Sequence, residues 1–260
     1  MKRGFFINIF LILISLFLFS CADTTTKSNS SGKKNSANKV APPLTEEEKY
    51  YKATTTIYYV PSFDASEVND CPANKKVNLL NKAGHIITKA CKNIFDACAM
   101  QGTCRVTTSY GRLELLNVDG VKNGVRRFKI ISDDVCKYGF GASSDREQKF
   151  KKMCLEPFYT VAADLSLYRL GDVLFFPDIK GLVLPNGEVH DGFMVVRDVG
   201  GNIKGRGRFD VFTGGYGLSE AKNPFAKIKL HDKDTRPKYF VVEGSEAERI
   251  LEKRQFPLIP

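Results

Sequence analysis

Three aspartates, Asp164, Asp198 and Asp210, fall in and around the stretch Ala162 to Gly217, among short apolar runs and many glycines. A carboxyl group can hand a proton to a leaving oxygen and later take one back, provided its surroundings bring its pKa toward the working pH. Phe193 to Val196 and Asp210-Val211-Phe212 have strand chemistry. Gly200-Gly201, Gly205, Gly207 and Gly214-Gly215 are places where a backbone can turn sharply or approach a ligand closely. The pattern predicts carboxylates at strand ends beside glycine-rich turns. Aspartate also accepts backbone donors in turns, so spacing alone favours three loop-capping residues. Flanking Phe209 and Val211 are expected to desolvate Asp210 and raise its pKa, whereas Lys204 and Arg208 would lower it.

Other chemistries find little support. Gly200-Gly201-Asn202-Ile203-Lys204-Gly205 lacks the Gly-Lys-Ser/Thr ending of a phosphate loop, and no G-x-S-x-G nucleophile elbow occurs. His85, His190 and His231 are scattered, and the cysteine spacings are not those of a zinc site, so no metal and no organic cofactor are expected. His190-Asp191 reads as a strand-end pair. Tyr58, Tyr59, Tyr110 and Tyr216 could stack on sugar faces, although most tyrosines should belong to the core.

Three motifs resemble the three-aspartate (3D) domain, and most closely the C-terminal end of the MltA-type membrane-bound lytic transglycosylases. They are Ala162-Ala163-Asp164 with Leu170-Gly171, Asp198-Val199-Gly200-Gly201-Asn202-Ile203-Lys204-Gly205, and Arg208-Phe209-Asp210-Val211-Phe212-Thr213-Gly214. Val199 departs from the usual Thr. Ala53 to Val60 is similar to that family's first barrel strand. The resemblance implies a mainly β fold, a six-stranded double-psi β-barrel with a saccharide groove. It also implies cleavage of the MurNAc-GlcNAc bond of peptidoglycan without water, leaving a 1,6-anhydro sugar. Asp210 then corresponds to the catalytic acid/base, Asp198 to a residue that positions substrate or tunes Asp210, and Asp164 to the third aspartate of the site, more often a structural hydrogen-bond acceptor for a barrel loop. Lys204, Gly200, Gly201 and Tyr216 are the candidates for substrate binding. The alternative is a non-catalytic lipoprotein that uses the same groove to bind peptidoglycan.

The elements around this stretch suggest where it works. Lys2 and Arg3 precede an apolar run from Phe5 to Phe19, and Leu18-Phe19-Ser20-Cys21 reads as the lipobox-like end of a signal peptide over residues 1–21. Lipidation at Cys21 would anchor the chain in a membrane. Ala22 after it resembles the sorting pattern for the outer membrane, on the periplasmic face. Residues 22–50 are polar with Pro42-Pro43 and predict a disordered tether with a reach on the order of 25 to 30 Å. Lys plus Arg total 39 against 29 Asp plus Glu, a balance that suits an anionic polymer or headgroup layer. Export and the lack of any helix-turn-helix, zinc-finger or RNA-recognition signature argue against nucleic acid. A monomer is expected.

Beyond Cys21 the chain has six cysteines, an even number that predicts disulfides in an exported protein. Gly84 to Met100 places Ile87, Cys91, Ile94 and Cys98 at helical spacing, with Gly102 as the stop. Within one helix Cys91 and Cys98 would lie roughly 10 Å apart, too far to bridge, so different partners are expected. Cys104 to Ile131 returns to strands with Asn123-Gly124 as a hairpin turn, and Pro185-Asn186-Gly187 is a second turn. Ser144 to Glu147 and Ser245 to Glu248 read as capping boxes of short helices, the second running through Lys253. The expected order is a first barrel strand over 51–61, a helical, disulfide-rich insertion over 62–158, and the barrel with a C-terminal helix over 159–260.

Overall fold

Two strands open the folded chain, β1 (Tyr51–Lys52) and β2 (Thr54–Tyr58). Alternation gives β2 two faces, with Thr55 and Ile57 buried and Thr54, Thr56 and Tyr58 partly exposed. The computed structural model describes residues 50–131, 136–142 and 153–257. Cys21, the signal and nearly all of the tether, and the capping box at Ser144 lie outside the described residues.

After β2 come β3 (Ser62–Asp64), β4 (Lys76–Leu80), β5 (Ile86–Cys91), helix α1 (Lys92–Gln101), β6 (Thr103–Thr107), β7 (Leu113–Lys122) and β8 (Val125–Ile131). Strands β3-β6-β7-β8 form one sheet, and β4-β5 form a separate hairpin. The described part of the insertion is therefore mostly strand, not helical as expected. The helix expected from Gly84 begins only at Lys92, because Ile86–Cys91 pairs with β4 and Cys91 is bonded to Cys71. Tertiary pairing here overrides a helical spacing. Gly102 does end α1, at φ 82°, with its N–H donating to the Cys98 carbonyl. Asn123 and Gly124 turn β7 into β8 with φ of 53° and 73°, as the sequence indicated.

The disulfides are Cys71–Cys91, Cys98–Cys104 and Cys136–Cys154, so Cys91 and Cys98 do have different partners. Phe63, Leu79, Phe95, Cys98, Cys104, Val106, Leu116 and Phe128 form the insertion's own core.

The remaining elements are β9 (Thr160–Ala162), β10 (Val173–Phe175), β11 (Phe193–Asp198), β12 (Arg208–Phe212), α2 (Pro224–Lys227), β13 (Lys238–Val242) and α3 (Gly244–Lys253). They join β1 and β2 in one sheet of order β1-β13-β10-β11-β9-β12-β2. Its two edges, β1 and β2, are consecutive in the chain and separated only by Ala53, so the sheet curls until it nearly closes. Gly207 stands at the closure. Its φ is 71°, a Cβ there would lie 2.8 Å from the Lys52 carbonyl oxygen, and its own carbonyl accepts from Thr54 N–H. The inner face is filled by Ile57, Val161, Leu174, Met194, Val196, Phe209, Val211 and Tyr239.

Helix α3 covers part of the outer face, with Ile250 buried against Val173, Val195 and Val242. It starts at Gly244 after Glu243, which makes no side-chain cap, so Ser245 lies inside the first turn and is not the cap that the sequence suggested. Arg197, wholly buried, fixes the end of this helix by donating to the Arg254 carbonyl at 2.7 Å and to Glu156 at 3.1 Å.

Candidate active site

Pairing registers set the site. Across four neighbouring strands Asp198 lies opposite Ala162, Ala162 opposite Asp210, and Asp210 opposite Thr56. Paired residues share a face, so these four form one row, with Asp198 and Asp210 two strand spacings apart, about 9.5 Å. Phe209 and Val211 point into the barrel core. Asp210 therefore faces outward, in the middle of β12 and not at a strand end.

Asp198 reaches that face through an irregularity in β11. Val196 pairs with Val161 and Asp198 with Ala162, which leaves Arg197 as an extra residue. Strict alternation would turn Asp198 inward beside Val196; the bulge turns it outward into the row. Its Oδ1 accepts Val199 N–H at 2.8 Å and its Oδ2 accepts the Tyr58 hydroxyl at 2.8 Å. Tyr58 stands on β2, three strands from β11, and its hydroxyl reaches across the row to Asp198. Burial and the charge of Asp210 outweigh these donors and push the Asp198 carboxyl up to about 6.

Asp210 Oδ1 accepts the Thr56 hydroxyl at 2.7 Å. Arg208 donates both terminal nitrogens to Thr56 Oγ1 at 3.1 Å, so its charge bears on the carboxylate through the threonine. Burial prevails over the threonine and the cation, and Asp210 also lies above its ordinary value. The two influences that the sequence left undecided thus resolve upward. The flanking Phe209 and Val211 face away and are not the desolvating groups that adjacency suggested.

Asp164 does not join the row. It follows β9 in a turn, where Oδ1 accepts from Ser166 N–H at 3.1 Å and Ser166 Oγ at 2.8 Å, and Oδ2 accepts from Gly205 N–H at 2.9 Å. These donors, led by Gly205, pull its pKa down to about 2. It ties the glycine-rich loop before β12 to the turn after β9. Lys204, largely exposed, lies 3.9 Å from Asp164. Gly200 packs tightly against Ile203, whereas Gly201 has open space where a side chain would be. Tyr216 lies against Phe158 and the barrel core.

His190 is buried, with Nδ1 accepting Gly192 N–H at 2.9 Å and Nε2 therefore donating to the Phe158 carbonyl at 2.9 Å. Burial pulls its pKa down to about 4, and it stacks on Tyr159 as part of the structure. A cavity of about 590 Å³ lies elsewhere, lined by Tyr50, Phe175, Phe193 and Phe240 beside α3, and contains none of the aspartates.

Residues 159–223 match the 3D domain family. This part of the chain is a 3D domain. All three aspartates belong to it, while Thr56 and Tyr58 come from a strand about a hundred residues upstream, outside it. No curated protein matches the chain. Among solved structures, the chain is similar to Escherichia coli MltA with bound chitohexaose at 16% identity and TM-score 0.49, covering 77% of this chain and 73% of that one. It is also similar to a membrane-bound lytic murein transglycosylase from Agrobacterium tumefaciens, at 14% identity and TM-score 0.41, covering 75% of each chain. For the lytic transglycosylase LtgG of Burkholderia pseudomallei the identity is 16% and the TM-score 0.39, over 73% of this chain and 72% of that one.

Proposed function

We propose that the chain is a peptidoglycan lytic transglycosylase that cleaves the MurNAc-GlcNAc bond and leaves 1,6-anhydro-MurNAc ends. The observation that carries this reading is the row on the outer face of the 3D domain's sheet, where two carboxyls both lie above the ordinary carboxylate range. Protonated Asp210 donates to the glycosidic oxygen as the bond to the anomeric carbon breaks, and the bonding electrons leave with that oxygen. The resulting carboxylate takes the proton from the muramic C6 hydroxyl, whose oxygen bonds to the anomeric carbon. Donor and acceptor are one group, no water is consumed, and neither metal nor organic cofactor is required. Asp198 acts as the neighbouring charge, and Asp164 holds the loop that leads into β12. Lys204 and Gly201 are the loop members that would meet the glycan, with Gly200 packed on Ile203 to shape that loop, and Tyr216, beyond β12 and against Phe158, is the further candidate for substrate contact.

The fold that goes with this reading is a six-stranded double-psi barrel, with β1 as an extension of β2. Anchored through lipidated Cys21 at the periplasmic face of the outer membrane, a monomer on a polar tether could reach the wall. Digestion of purified sacculi followed by mass spectrometry of the muropeptides tests the proposal. Anhydro ends that vanish with Asp210→Asn are expected. Reducing ends would make the protein a hydrolase, and sacculus binding with no soluble product would make it a binding protein.

A further inference from the structure

Tyr58 is the one side chain of β2 that reaches Asp198, and it stands where the insertion meets the barrel. Its ring lies 5.0 Å from that of Phe212. It packs in a cluster with Val60, Leu155 and Phe212 together with Leu115, Ile131 and Tyr138 of the insertion. Its hydroxyl leaves this apolar setting to donate to Asp198 Oδ2 at 2.8 Å. The two carboxyls are otherwise closely matched. Asp198 accepts one hydroxyl and the Val199 N–H, and Asp210 accepts one hydroxyl and the Val211 N–H. Arg208 tilts the balance by favouring charge on Asp210. The charged and titratable groups that bear on the pair are thus Tyr58 from β2, Asp198 from β11, and Asp210 and Arg208 from β12.

We propose that Tyr58 is a positioning residue for this pair: by donating its hydroxyl to Asp198 it holds that carboxyl in place beside Asp210 and eases its ionisation. The insertion acts on the site by fixing the Tyr58 ring at the angle this bond needs. The inference rests on Asp210 being the acid. Two such carboxyls titrate as a coupled pair, and a hydroxyl that favours charge on Asp198 opposes the burial and the Asp210 charge that hold its proton. With Tyr58 in place Asp198 lies at about 6 and is ionised at neutral pH. Without it Asp198 retains its proton to higher pH.

Tyr58→Phe removes the hydroxyl and leaves the ring packed. Side-chain carboxyl resonances of Asp198 and Asp210, followed by NMR across pH, should show the Asp198 midpoint rising by about one pH unit, the size of one hydrogen bond to a charged group. The limb of the pH profile for glycan cleavage that rises with pH should move up by the same amount, with kcat falling and KM unchanged. An Asp198 midpoint that stays where it is in the unmodified protein overturns the proposal. Should Tyr58→Phe fail to fold, Leu115→Ala loosens the insertion's side of the cluster that holds the ring, and the Asp198 midpoint must then rise; an unmoved midpoint is equally fatal. Since the titration is read without substrate, an unmodified protein that releases no anhydro product removes the functional reading alone, and the carboxyl midpoints still decide the role of Tyr58.

Discussion

Asp198 and Asp164 are the same side chain in the same domain, and their surroundings drive them in opposite directions. Asp164 sits in a turn among backbone and hydroxyl donors, Gly205, Ser166 N–H and Ser166 Oγ, and its pKa falls to about 2. Asp198 sits against neighbouring strands, where most amides are already committed to the sheet. It finds one free amide and one hydroxyl, and burial with Asp210 nearby takes it to about 6. A carboxyl that ties loops together must stay charged, and one that works with protons must be short of donors. Motif spacing cannot separate these roles, because all three aspartates follow or interrupt strand-like runs.

The sharpest way to break this comparison is to neutralise each aspartate in turn. Asp210→Asn should lower glycan cleavage by roughly 10²- to 10⁴-fold, the usual contribution of a general acid, with Tm nearly unchanged. Asp164→Asn should do the reverse, with a lower Tm and cleavage per folded molecule within a few-fold of the original. Equal losses of activity in sacculus digestion would erase the distinction between row and turn.

Stability against pH separates the pair with opposite signs. Asp198 binds its proton more tightly when folded, so its contribution is full below its ordinary value of 3.8 and is lost as pH rises toward about 6, on the order of 1 to 2 kcal/mol after solvent screening. Asp164 binds its proton less tightly when folded, so its contribution is present above 3.8 and is lost as pH falls toward about 2. Urea denaturation at a series of pH values should show the first slope vanish in Asp198→Asn and the second in Asp164→Asn. Slopes that survive both substitutions would assign the effect to other groups.

The last contrast concerns the loop that Asp164 holds. A Cβ at Gly200 would lie 2.4 Å from Ile203 Cγ1, whereas none of the surrounding atoms comes within 4 Å at Gly201. Gly200→Ala should cost about 1 to 3 kcal/mol, and Gly201→Ala should stay within about 0.5 kcal/mol. Chemical denaturation reads both, and a cost at Gly201 would mean the loop packs differently.

Much of this was legible in the chain. The three aspartate motifs marked the domain, the strand runs at Phe193 and Asp210 formed strands, and Asn123-Gly124 and Gly102 turned and stopped the chain where local chemistry required. Local signals fail where distant pairing decides. Nothing near Thr56 announces that it will lie beside Asp210, 154 residues on, because that contact comes from parallel pairing of β2 with β12. Tyr58 looked like a surface for stacking on sugar, and its bond to Asp198 depends on a strand order that nothing near it announces. The bulge at Arg197 is equally silent in sequence, so the face that Asp198 occupies could not be read from alternation. Helical spacing over Gly84 to Cys91 misled for the same reason, since a strand partner and a disulfide claimed those residues.

The most direct test is a residue-resolved NMR titration of the carboxyl carbons of Asp164, Asp198 and Asp210 in one sample of the unmodified protein. Asp198 should titrate near 6, Asp210 above the ordinary carboxylate range and Asp164 near 2. Three ordinary midpoints clustered around 4 would contradict the division between a proton-holding row and a loop-holding turn, and with it the acid assigned to this domain.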